Sequence, residues 1–133
     1  MPTISVELNP IDGTGAMLGR AGRHTVVIDR PEGKAGGMGL GFSGGELLAL
    51  ALAGGYANNL RFVAYEMRVE LGAISVTAEV EVEGDRIAGA AIELKLGPAP
   101  EGADMAALIA RANEKSTVSN SVTAGFPVTV KVE

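Results

Sequence analysis

From Leu47 to Ala57 the chain runs eleven residues, LLALALAGGYA, with no charge on any face. A helix that is apolar all round is a helix buried in protein or lipid. A bilayer span needs about 20 such residues, so burial in protein is the reading. It constrains everything else, because a chain of 133 residues must then find material to cover this helix from every side. The start is marked by Ser43 and Glu46, three apart, the spacing of a capping box in which each side chain accepts from an orphan N–H of the first turn. The helical pattern continues to Met67. Gly54 and Gly55 lie mid-helix, where each costs roughly 0.5–1 kcal/mol relative to Ala. Close approach of another backbone, or room for a ligand, would offset that loss. Asn58 and Asn59 are poor helix-interior residues. If buried beside Tyr56 they must hydrogen-bond to a partner helix, to water or to a ligand.

The flanking segments supply strands. Thr3 to Leu8 places Ile4, Val6 and Leu8 on one face, and Asn9-Pro10 with Asp12-Gly13 ends that strand in turn chemistry. A weak second strand is expected at Ala16–Leu18, and a β-branched third one from His24 to Asp29. Glu32 to Gly45 is a loop, with six glycines between Gly36 and Gly45. Its Gly39-Leu40-Gly41-Phe42-Ser43-Gly44 fits G-x-G-x-x-G before a helix. A dinucleotide site needs a strand feeding the motif and an acidic residue ending a second strand; Glu66 instead falls inside the helix, so that reading is rejected. After the helix, Ile74, Val76, Ala78, Val80 and Val82 alternate with Ser75, Thr77, Glu79, Glu81 and Glu83. Gly84-Asp85 turns the chain, and Ile92, Leu94 and Leu96 alternate on the return, which predicts an antiparallel hairpin. Asp104 caps a second helix carrying Met105, Leu108, Ile109 and Ala112 on one face. Ser116 to Gly125 is a hydroxyl-rich loop or short helix, and Phe126, Val128, Val130 and Val132 predict a last strand. The order implies an α+β fold, mainly antiparallel, in a single domain over residues 1–133.

Residue usage removes several classes of function. There is no cysteine, which excludes disulfides, thiolate metal sites and every thiol mechanism. One histidine, His24, cannot build a multi-His zinc site, so no metal and no cofactor is expected. A net charge of −5 argues against nucleic acid or an anionic membrane surface as partner. The N-terminus shows no basic or apolar leader pattern, and a cytoplasmic location is the expectation.

The layout resembles the OsmC/Ohr family of osmotically induced and organic-hydroperoxide-resistance proteins. The matching residues are Gly22-Arg23-His24-Thr25 leading to Asp29-Arg30-Pro31, then Gly36-Gly37, then SGGELL from Ser43 to Leu48 and Ala53-Gly54-Gly55-Tyr56. Late in the chain they are Val118-Ser119-Asn120-Ser121 and Gly125-Phe126-Pro127-Val128. The resemblance implies an intertwined homodimer in which two long central helices pack together, with sites at the subunit interface. A second copy would supply the cover that one short chain lacks. It also implies a peroxidatic cysteine on the central helix and a resolving one in a C-P-V-S segment. In this chain those positions read Gly55 and Ser116. A thiolate attacks the peroxide and a second thiol resolves the sulfenic acid; neither glycine nor serine replaces a thiol. The family's arginine falls on Arg20 or Arg23, and its glutamate on Gly45, with Glu46 beside it.

Each candidate has a structural reading beside the functional one. Glu46 is a capping residue or a site carboxylate. Arg23 is a solvated strand-start residue or a partner for Glu46. His24 is an edge-strand residue or a general base. Ser116, Ser119 and Ser121 are turn hydroxyls or site groups. Two functional expectations follow. One is a homodimer without redox chemistry that binds a small apolar or amphipathic ligand at the dimer interface, near Gly55, Tyr56, Asn59 and Ser116, with Arg23, Glu46 and Ser119 as further contacts. The other is an enzyme of different, non-thiol chemistry in the same cleft, such as a hydrolase using His24 or Glu46 as base.

Overall fold

The computed structural model describes all 133 residues and contains five strands and three helices. The chain forms two compact units, Met1–Leu48 and Ala49–Glu133. They are described in turn.

The first unit is an antiparallel meander of β1 (Glu7–Pro10), β2 (Met17–Ala21) and β3 (His24–Ile28), in that order. The first strand lies later than its alternation predicts. Glu7 pairs with Arg20, and β2 then ends at Ala21 before Gly22 turns the chain at φ +60. Thr3–Val6 thus has no strand opposite it, and Ile4 is left exposed. β2 runs further than its residues suggest because Gly19 lies beneath Ile28 and Val26, where a Cβ would meet their methyl groups at 3.3 Å. A glycine in close contact continues the strand without showing any alternation.

Beyond β3 the glycine-rich loop folds back on the strand. The Phe42 N–H donates to Val27 O at 2.9 Å and the Asp29 N–H to Phe42 O at 3.1 Å. Gly41 makes this possible, since a Cβ there would collide with Val27 O. The glycines of the G-x-G-x-x-G window therefore serve backbone contact. The loop ends in the capping box: the Ser43 N–H donates to Glu46 Oε1 at 3.0 Å and the Glu46 N–H to Ser43 Oγ at 3.2 Å. This opens α1 (Gly44–Met67).

In the second unit, Tyr56, Leu60, Val63 and Ala64 of α1 form one buried face at helical spacing and join Leu108 and Ala112 of α2 (Met105–Glu114). The hairpin of β4 (Ile74–Glu83) and β5 (Arg86–Leu96) adds Ile74, Val76, Ile92 and Leu94 to that core, while Ser75, Thr77, Glu79 and Glu81 face water. A bulge between Glu81 and Val82 shifts the register, and Val82 is exposed. The end of α1 is fixed by two carbonyl bonds, Val69 N–H to Ala64 O at 2.8 Å and Arg68 N–H to Tyr65 O at 3.2 Å, with Arg68 left-handed at φ 58. The Arg61 guanidinium donates to Leu71 O and Gly72 O and aims the chain into β4. Asp104 caps α2 by accepting from the Ala107 N–H at 3.0 Å. The hydroxyl-rich segment forms α3 (Thr117–Ala124), closed by Gly125 at φ 77.

Two expectations about cover are corrected within the single chain. The central helix is buried on one face only: Leu50 is 51% exposed and Tyr65 86%. One hairpin and two short helices cover one side of α1 and no more. Phe126–Val132 forms no strand, because no strand edge in the chain pairs with it. No helix is long and apolar enough to cross a membrane.

Candidate functional site

The polar residues of α1 act through α2 and α3. The Tyr56 ring belongs to the core, and a buried phenol needs a partner for its hydroxyl. It donates to Asn113 Oδ1 near the end of α2. Burial pushes the Tyr56 pKa up, so the phenol stays neutral. One turn along, Asn59 Nδ2 donates to Lys115 O and to Ser116 Oγ, both at 3.2 Å. The Ser116 hydroxyl, itself buried, donates back to Ala112 O at 2.8 Å, and the Ser116 carbonyl accepts from the Asn120 N–H at 2.8 Å to start α3. With its proton committed to a carbonyl, this hydroxyl has no base to activate it. A Cβ on Gly55 would rest on the Val118 side chain at an ordinary 3.5 Å. Gly55 and Ser116 therefore both lie at the first turn of α3.

These residues line a cleft of about 390 Å³. Tyr56, Asn113, Ser116 and Ser119 supply its polar side, and Ala90, Ile92 and Leu94, alternate residues of β5, supply its apolar wall. Of the residues named from the sequence, Tyr56, Ser116 and Ser119 are brought together here. Asn59 supports Ser116 from behind. Lys115 Nζ pairs with Glu66 Oε1 at 2.8 Å and lies 5.7 Å from the Phe62 ring centroid; neither Lys115 nor Glu66 lines the cleft. The Lys115 hydrogen bond holds the Glu66 carboxyl below its usual range.

The remaining candidates belong to the first unit. Glu46 is engaged in the capping box. Arg23 is exposed on the turn between β2 and β3. Arg20 and His24 line a cleft of about 250 Å³ with Val6, Leu8, Val26, Ile28 and Leu47. His24 is exposed on β3. No three His, Asp or Glu side chains gather closely enough to hold a metal ion.

Two residues of consequence escaped sequence reasoning. Asn113 carries no local signal, since its partner is 57 positions away. Asp29 has a side chain only 1% exposed. Its Oδ2 accepts from the Leu40 and Met38 N–H groups at 3.1 and 3.2 Å, and its Oδ1 from the Arg30 N–H at 2.8 Å. The Leu40 bond is the main cause of a pKa below the ordinary carboxylate value. The available signal was a charged residue directly ending a β-branched run and followed by Arg-Pro.

Residues 36–131 match the OsmC-like protein family. The fold is similar to that of an OsmC-like protein from Mycoplasma pneumoniae, with a TM-score of 0.74 and 12% identity over 92% of this chain and 88% of that one. It is also similar to an organic hydroperoxide resistance protein OsmC from Legionella pneumophila, with a TM-score of 0.66 and 21% identity over 92% and 90%. A third similar structure is an organic hydroperoxide resistance protein from Elizabethkingia anophelis, with a TM-score of 0.58 and 21% identity over 92% and 89%. No curated protein sequence matches the chain. Identities this low speak for the shared α+β fold alone, whereas the family match spans most of the sequence. The chain belongs to the OsmC-like protein family, as a member without a single cysteine.

Proposed function

We propose that this chain is a single OsmC-like domain that has left thiol chemistry and binds small apolar or amphipathic molecules as a homodimer. The observation that carries the reading is the cleft over Tyr56, Asn113, Ser116 and Ser119. It has an apolar wall and fixed polar groups, as ligand sites do, and it adjoins Gly55 and Ser116, the positions that the family resemblance gives to thiols. The dimer is supported by the uncovered apolar residues of α1 and of Phe126–Val132. Among the two arginines, Arg20 is the better match for the family's, because it lines a cleft while Arg23 stands on a turn. A hydrolytic alternative gains no support: Tyr56 is the only ionisable residue among those lining the second-unit cleft, and it is held neutral.

Native mass spectrometry of gently purified protein tests the reading. A dimer carrying extra non-covalent mass is expected, together with no dithiol-dependent consumption of an organic hydroperoxide above a boiled control. Turnover well above that control would overturn it.

A further inference from the structure

The cleft's ligand class follows from how its hydrogen-bonding groups are already committed. Asn113 Oδ1 accepts from the Tyr56 hydroxyl, so the amide's remaining capacity is its two Nδ2 hydrogens. The Ser116 proton goes to Ala112 O and its oxygen accepts from Asn59. Ser119 adds a hydroxyl from α3. What the polar side has left to offer is weighted toward donors. None of the lining residues is ionised at neutral pH, and the chain carries a net charge of −5. None of the lining side chains offers a counter-ion to a carboxylate or an ammonium group entering here. Opposite, Ala90, Ile92 and Leu94 present an aliphatic strip along one face of β5, about 13 Å from end to end at the rise of a strand.

Resting on the binding function proposed above, we infer that the cleft selects an uncharged aliphatic molecule headed by a hydrogen-bond acceptor, such as a ketone or ester carbonyl. The carbonyl takes the Asn113 and Ser119 donors and the chain lies along β5. An alcohol, which must also place a proton, and the charged acid and amine of equal length bind less well.

The test is calorimetric titration of the intact protein, freed of co-purifying ligand, with methyl octyl ketone, decanoic acid, decylamine and decanol. The ketone is expected to bind about tenfold more tightly than the acid or amine, the value of one net hydrogen bond or its loss. Asn113→Asp, which exchanges donors for a charge, is expected to abolish the ketone preference and to favour the amine. Ser119→Ala, a half-buried position on α3, is expected to weaken the ketone severalfold and serves even where the Asn113 variant does not fold. Acid or amine binding as tightly as ketone would overturn the inference while leaving a binding function intact. Ketone affinity unchanged in both variants would do the same. Failure of all four probes to bind would overturn the inference and the binding function together.

Discussion

Ile74, Val76, Ala78 and Val80 of β4 recur at every second position, and so do Phe126, Val128, Val130 and Val132 at the C-terminus. Only the first set is in a strand. Every residue from Ile74 to Glu83 faces a partner on β5, and Ile74 and Val76 rest on the core of α1 and α2. The C-terminal valines have no ladder, and Val130 is 86% exposed. The difference teaches that alternation assigns faces to a strand but does not supply its partner. Backbone N–H and C=O groups need a second edge, and side chains need something to lie against. In the second unit this chain provides both for one segment and neither for the other.

The comparison is sharpest where cover exists. Leu108→Ala and Leu60→Ala, at fully buried positions, are expected to lose roughly 2–5 kcal/mol each in denaturant unfolding. A loss below ~1 kcal/mol would mean the covered face is less tightly packed than its burial implies. Val130→Asp is the counterpart at the uncovered segment. If the proposed dimer forms through this segment, Val130→Asp is expected to raise its dissociation constant by about 10–100-fold in sedimentation equilibrium, the effect of placing a charge in an apolar contact. A dimer unaffected by Val130→Asp would show that this alternation finds no partner at all.

Asp29 offers a third case, in which a side chain stands in for a strand edge by meeting the N–H groups of Met38 and Leu40. Because its folded pKa lies below the unfolded value, its stabilisation is complete at neutral pH and is lost as the pH falls below about 4. Asp29→Asn is expected to speed hydrogen exchange at Met38 and Leu40 and to flatten the acid limb of the stability profile. An unchanged acid limb would remove the carboxylate from that account. The smallest effect is expected where β4 is approached. Arg68 occupies a left-handed position that glycine takes at no steric cost, so Arg68→Gly should gain up to about 1 kcal/mol in thermal unfolding.

Features carried by neighbouring residues were legible in advance. The capping box at Ser43 and Glu46, the Asp104 cap and the hairpin at Gly84-Asp85 each depend on groups a few positions apart. The need for Asn59 to find a partner was legible too, from its poor fit to a helix interior, but the identity of that partner was not. Gly19 hid the end of β2 because a close contact leaves no side chain to read. The Tyr56–Asn113 bond and the return of the loop to Asp29 depend on tertiary placement, which no local spacing encodes. The apolar run from Leu47 to Ala57 implies cover on every side, and the single chain covers one face only.

Ser116 ties the end of α2 to the start of α3 through its hydroxyl and its carbonyl. If a reactive sulfur once stood there, as the family resemblance implies, the position carried a mechanical duty beside its chemical one. Gly55 has no such duty, since an added Cβ would meet only the Val118 side chain, at an ordinary distance. Selection released from peroxide chemistry would then act unequally on the pair. One site is free to drift to the smallest residue, while the other is confined to a side chain that still closes the joint between two helices.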